Sequence, residues 1–243
     1  MQPTGRIFME MTRYKHLSQA DQFRGLPPPP LEEPAPEEGK FISLPQPSQI
    51  SVPPMEMRSA IESRRSVRRY SEEALTLDEL AYLLWCTQGI KESHEPYATF
   101  RTVPSAGGRH AFETYLQINR VSDLQPGLYR YLAFSHRLLL LDPDPGMAEC
   151  LADACLRQAM IKDSAVFFIW SCDIYRMAWR YSCLLYTSDA ADDLLCVDLG
   201  GRRIIKKKTI ITRYAIYLIV TSISISYLPA EPTATSLLLL TPH

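Results

Sequence analysis

The chain has 243 residues, with 26 Lys and Arg against 27 Asp and Glu and a formal net charge of −1. That length allows one large domain or two small ones, and 46% apolar residues allow a sizeable core. A charge near zero gives no general attraction to nucleic acid or to an acidic membrane surface, so neither is expected as a partner.

Three regions differ in texture. Residues 1–54 are rich in proline and polar side chains, with four successive prolines at Pro27 to Pro30 and then Leu31, Glu32, Glu33, Pro34, Ala35, Pro36, Glu37 and Glu38. Proline fixes φ and lacks a donor for a ladder, so an extended, largely disordered arm is expected, with wrapping around a partner subunit as the functional alternative.

Residues 55–182 read as a folded mixture of helices and strands. Met57 to Arg64 suits a short helix. Thr76 to Gln88 suits a better one: Thr76 and Glu79 are spaced as a capping box, Leu80, Leu83 and Leu84 form an apolar face, and Gly89 follows as a C-cap. Phe112, Thr114, Leu116 and Ile118 alternate with Glu113, Tyr115 and Gln117, a strand signature. Leu128 to Leu132 and Arg137 to Leu141 predict two more strands around a turn at Phe134, Ser135 and His136. Met147 to Met160 predicts a helix, Ala165 to Trp170 a strand buried on both faces, and Ile174 to Tyr181 the opening of another helix.

Residues 183–243 lose the pattern. Their apolar residues show no helical or strand period that would join the preceding core, and Lys206, Lys207 and Lys208 lead into a stretch rich in Thr, Ile and Ser. The stretch beginning at Cys183 resembles translated adapter DNA, so an artefactual tail is expected, with a divergent C-terminal extension as the alternative. The apolar run Tyr214 to Leu228 is short and is interrupted by Thr221, Ser222, Ser224 and Ser226, so no membrane span is expected.

Six cysteines, Cys86, Cys150, Cys155, Cys172, Cys183 and Cys196, include no Cys-x-x-Cys pair and no zinc-spaced histidine neighbour. They are expected to be reduced thiols in a cytoplasmic protein, and no metal site is expected. The N-terminus has no apolar run of signal-peptide length.

Two motifs carry chemistry. Arg64-Arg65-Ser66-Val67-Arg68-Arg69-Tyr70 offers several guanidinium forks and a hydroxyl, a set able to hold a phosphate. Pro104-Ser105-Ala106-Gly107-Gly108 is a turn of small residues that lets a flat ligand approach the backbone, and it leads into the strand at Phe112. Alone, the first reads as a solvated basic surface and the second as an ordinary turn.

Together, in this order, the two motifs resemble those of the nitroreductase-fold flavoenzymes, the SagB/ThcOx dehydrogenase branch in particular. Leu83-Leu84-Trp85-Cys86-Thr87-Gln88-Gly89-Ile90 resembles that branch's helix ending in Gln-Gly, and Pro126-Gly127-Leu128-Tyr129-Arg130-Tyr131 its Pro-Gly-Leu-Tyr-x-Tyr strand. The lead-in Ile42-Ser43-Leu44-Pro45 also fits, and the resemblance runs from about Phe41 to Tyr181.

The resemblance implies an α+β nitroreductase-like fold, here incomplete, with a central mixed or antiparallel sheet flanked by helices. It implies an FMN-dependent oxidoreductase that passes hydride through flavin N5, with a small-molecule or peptide substrate, in an intertwined homodimer. Arg64, Arg65, Ser66 and Arg68 match the positions that hold the FMN phosphate and ribityl chain. Pro104, Ser105, Ala106 and Gly107 match the turn against the isoalloxazine ring.

Azoline-oxidising members use a Lys-Tyr pair where this chain has Arg180 and Tyr181. Arginine stays protonated and is a poor general base, so azoline oxidation is the finer of the expected activities and Tyr181 its remaining candidate proton carrier. The alternative is a non-catalytic binding or scaffold protein that keeps the fold. A chain whose pattern stops at Cys183 is expected to fold poorly and to hold FMN weakly. His110 and His136 read as turn or surface histidines, and Tyr129 and Tyr131 as strand packing.

Overall fold

The computed structural model describes residues 4–11, 14–16, 18–67, 69–182, 215–223 and 239–240. Most of the proposed tail, 183–243, lies outside the described residues.

The centre is an antiparallel sheet. Strand β4 (Phe112–Ile118) pairs on one side with β5 (Gly127–Leu132) and on the other with β7 (Val166–Cys172). Strand β5 pairs with β6 (Arg137–Asp142), and β6 with the short β1 (Phe41–Ser43). Beyond β7 the backbone of β8 (Ala215–Ile223) adds a strand, followed by β9 (Leu239–Leu240). The sequence reading finds no strand period in that stretch. The order is β1-β6-β5-β4-β7-β8-β9, and every pairing is antiparallel, the second of the two forms expected. A separate hairpin, β2 (Ile90–His94) with β3 (Ala98–Arg101), escapes the sequence reading because Lys91, Glu92, Ser93 and His94 are all exposed and carry no apolar alternation.

Helices cover the sheet because its strands alternate. Val166 and Phe168 point to one face, where they meet Leu80, Ala81 and Leu84 of α3 (Leu77–Gln88) together with Leu116, Ile118, Tyr129, Tyr131 and Leu138. Phe167 and Ile169 point to the other, against Ala152 and Leu151 of α4 (Met147–Ala154), Cys155 and Ile161. Each fully buried Leu or Phe of this kind contributes about 1.5–3 kcal/mol.

Helix α3 begins as its sequence dictates. The Thr76 hydroxyl accepts from the Glu79 N–H at 3.2 Å, and the Glu79 carboxylate accepts from the Thr76 N–H at 2.8 Å. Gly89 is the C-cap, but at φ −59° it is not left-handed. Its small size matters instead, since a Cβ there would lie 2.5 Å from the Trp85 carbonyl oxygen.

The helix expected over Met147 to Met160 stops at Ala154. Leu156 and Arg157 turn to φ 61° and 59°, and a short α5 (Met160–Asp163) resumes before β7. The Asn119 amide holds this corner by donating to the carbonyls of Ile161 at 2.8 Å and Ser164 at 2.9 Å.

Residues 18–54 lie against the domain. Ala20, Leu31 and Leu44 are buried, β1 pairs with β6, and the proline run lies extended along the domain. Composition removes donors from this segment, but its carbonyls remain strong acceptors that a folded surface can take up.

Candidate functional site

A third apolar cluster closes the end of the sheet and positions the site. Ala111, Cys172 and Met177 are buried there, with Ala106, Phe112, Ile174 and Tyr181 packed against them. The cluster seats α6 (Ile174–Tyr181) beside the turn that precedes β4. Asp173 starts this helix by accepting from the Tyr175 N–H at 3.0 Å.

The turn is a single 3-10 step, Ala106–Gly108. Gly107 and Gly108 both adopt positive φ, 60° and 66°, as the small-residue motif implies. The Ser105 hydroxyl accepts from the His110 N–H at 3.0 Å and ties the turn to its exit. A Cβ on Gly107 would lie 2.6 Å from Cδ and Nε of Arg180 and 2.7 Å from the Tyr181 hydroxyl. Arg180 also donates to the Gly107 carbonyl at 3.4 Å, and its guanidinium stands 5.8 Å over the Tyr181 ring. Thus Gly107, Arg180 and Tyr181, more than seventy residues apart in sequence, come together.

Pro104 is exposed, while Ser105 and Ala106 are half-buried on the same turn. Helix α2 (Met57–Ser63) ends at Arg64, and Arg64, Arg65 and Ser66 are all exposed on the segment that follows. Arg68 lies outside the described residues. The structure therefore joins the turn to the Arg180–Tyr181 pair and leaves Arg64, Arg65 and Ser66 open to solvent.

Behind the turn is a buried ionic group that the sequence reading quoted only in part and gave no role. The Glu113 carboxylate accepts from Arg176 at 2.5 Å and from Arg130 at 3.3 Å, with all three side chains buried. Arg101 donates to Gln88 at 2.9 Å. Arg109, wholly buried, is held down to about 10, first by burial and then by the nearby Arg176 and Arg180 charges. The available signal was position: Arg130 alternates with the buried Tyr129 and Tyr131 on β5, where neighbours along a strand point to opposite faces.

His110 and His136 do occupy turns, at φ 44° and 48°, but they are buried rather than on the surface. The His110 Nε2 lies 3.1 Å from the Thr99 carbonyl, an acceptor only, so that nitrogen carries the proton. Burial and then the Arg101 charge push the His110 imidazole down to about 4. His136 Nδ1 pairs with the Tyr131 hydroxyl at 2.8 Å inside the core. Among the described residues no cluster of His, Cys, Asp and Glu could hold a metal ion, and no helix is long and apolar enough to cross a membrane.

Residues 61–193 match the profile of the Nitroreductase family. A nitroreductase-like protein of Methanocaldococcus jannaschii is 31% identical over 137 residues, which are 55% of this chain and 66% of that protein. A solved nitroreductase-like structure from Anabaena variabilis superposes with a TM-score of 0.54 at 22% identity, over 76% of this chain and 35% of that one. Another, from Ralstonia eutropha, gives 0.43 at 24% identity over 63% and 67%. The Anabaena likeness shows the fold, and the chain spans about two thirds of the curated relative and about a third of the Anabaena protein.

Proposed function

Since the chain belongs to the nitroreductase family, whose members are generally oxidoreductases, we propose that it is an FMN-dependent dehydrogenase of the SagB/ThcOx type. The observation that carries this reading is the contact of Arg180 and Tyr181 with the Gly107 turn. The residues present suit the cofactor in chemistry. Arg64, Arg65 and Ser66 are exposed donors for a phosphate monoester, and Pro104 to Gly107 offer small side chains to a flat ring. When bound, FMN supplies a hydride acceptor at its ring N5.

The chain's own residues would do the rest. Arg64, Arg65 and Ser66, with Arg68, hold the phosphate and ribityl chain, and the turn orients the ring. Arg180 supplies positive charge beside the turn. The Tyr181 hydroxyl, next to Gly107, is the group that can hold or relay the substrate's proton. The substrate class is a small molecule or a peptide carrying an azoline, whose oxidation to an azole removes two hydrogens.

The protein acts as a homodimer in this reading. Met55, Met57 and Ile61 leave an apolar face exposed on and beside α2, as a subunit contact requires. A cytoplasmic location accords with free thiols at Cys86, Cys150, Cys155 and Cys172. A second reading, a non-catalytic binding protein, is favoured by one observation: Arg180 stands where azoline oxidation would need a base.

The test is to load the purified chain with FMN and offer it an azoline peptide or a nitroarene with a reduced nicotinamide donor. Loss of two hydrogens by mass spectrometry, or reduction of the nitroarene, supports the enzyme, and the product separates the two chemistries. A flavin-loaded protein inert toward both would favour the binding protein.

A further inference from the structure

The family match begins at residue 61, yet buried side chains inside it find their partners far upstream. Trp179 donates its indole N–H to the Leu26 carbonyl at 2.9 Å. Arg109 donates to the Pro29 carbonyl at 2.5 Å, and Arg101 to the Leu31 carbonyl at 3.4 Å. Arg130 donates to the carbonyls of Glu33 and, at 3.2 Å, Pro34. The Glu32 carboxylate likewise accepts from the Ala133 N–H at 2.6 Å, and in the other direction the Glu33 N–H donates to Glu113 at 2.7 Å.

Pro27 to Pro30 and Pro34 favour this pattern. Proline keeps its carbonyl while giving up its donor, and its fixed φ holds the segment extended, so a row of acceptors faces the guanidiniums. Arginine cannot shed its charge to escape burial. Without the segment, Arg101, Arg109 and Arg130 lose these acceptors and part of their cover. These bonds tie the arm to the domain.

The same arm grips α6. The Gln22 N–H donates to the Trp179 carbonyl at 2.8 Å, the Tyr175 hydroxyl donates to Asp21 at 2.9 Å, and the Ser18 and Ser182 hydroxyls lie 3.2 Å apart. Arg109 joins arm, hairpin and helix in one side chain. Besides Pro29, it donates to the carbonyls of Pro96 at 2.9 Å, Tyr97 at 3.0 Å and Arg176 at 3.4 Å, and it lies 5.0 Å over the Trp179 ring. It does so two residues from Gly107.

We infer that residues 18–36 are a strap built into the functional site, and that Arg109 is a positioning residue that sets α6, with Arg180 and Tyr181, against the Gly107 turn. The inference rests on the proposed reading of that turn and pair as the site. The functional unit accordingly extends upstream of the family match, to residue 18.

Hydrogen exchange read by mass spectrometry on the full chain tests it. Arg109→Lys keeps the charge and loses the fork. Exchange is expected to rise together in 20–34 and in 174–181, by about tenfold, with β4 and β7 unchanged. Tyr175→Phe removes only the hydroxyl that reaches Asp21 from a side chain 41% exposed, so it should fold. It should raise the same two segments by about threefold.

The strap is overturned if 20–34 exchange at the free-chain rate in the unaltered protein. It is also overturned if Arg109→Lys, or Tyr175→Phe where Arg109→Lys does not fold, raises exchange evenly across the sheet or in only one of the two segments. FMN titration of the same samples separates the two claims: a protected strap without flavin binding sinks the flavin reading alone, and flavin binding with an unprotected arm sinks the strap alone.

Discussion

His110 should make the protein sensitive to acid in a defined window. Its ring is buried, its Nε2 proton is donated to the Thr99 carbonyl, and its pKa falls from 6.5 to about 4. Between those values the unfolded chain binds a proton that the folded protein refuses, so stability rises with pH there. The contribution is complete above the unfolded value of 6.5 and is lost as pH falls toward 4. The shift corresponds to about 3 kcal/mol.

His110→Asn isolates this effect, because asparagine tolerates the positive φ of 44° and its amide can still donate. Both forms retain His136, whose pKa burial also lowers, and the same carboxylates. Urea unfolding at stepped pH should show the stability difference between the two forms changing by about 3 kcal/mol between pH 7 and pH 4, at the expense of the histidine form. A difference that is constant with pH would refute the assignment of a neutral, desolvated His110.

Two further substitutions probe the site. Gly107→Ala must hold φ 60° and move Arg180 and Tyr181, so thermal or urea unfolding should show a loss of about 1–2 kcal/mol from the backbone alone; an unchanged midpoint would contradict the close approach. Glu113→Gln removes the carboxylate that Arg176 and Arg130 share, leaving Arg176 with Asp173 at 3.4 Å and Arg130 with no carboxylate among the described residues, and should cost about 3–5 kcal/mol in the same assay. Retention of full stability there would mean that water reaches the cluster.

The secondary structure was legible where apolar periodicity is strong. The capping box at Thr76 and Glu79, the alternation of β4 and the apolar run of β7 all form as their residues indicate. The hairpin at Ile90–Arg101 was not legible, because one of its strands is exposed almost throughout and leaves no pattern. The break after Ala154 leaves no sequence signal because Leu156 and Arg157 are good helix formers, yet both take positive φ as the Arg157 N–H donates back to the Ala152 carbonyl at 2.8 Å.

Of the site, sequence supplied the turn and the Arg180–Tyr181 pair but not their contact, which the apolar cluster around Met177 creates. The arm is poor in backbone donors. Poor donor content argues against a ladder, but it does not argue against docking, and the arginines that receive the carbonyls lie 80 to 97 residues away for Arg109 and Arg130.

The most direct measurement is a titration of the purified full-length chain with FMN, followed by quenching of flavin fluorescence, beside a variant with Arg64→Ala and Arg65→Ala. Weak but saturable binding is expected in the unaltered chain, with a loss of affinity of about tenfold or more in the variant, the size expected for removing charge-assisted hydrogen bonds to a phosphate. Absence of binding, or binding indifferent to both arginines, would contradict it.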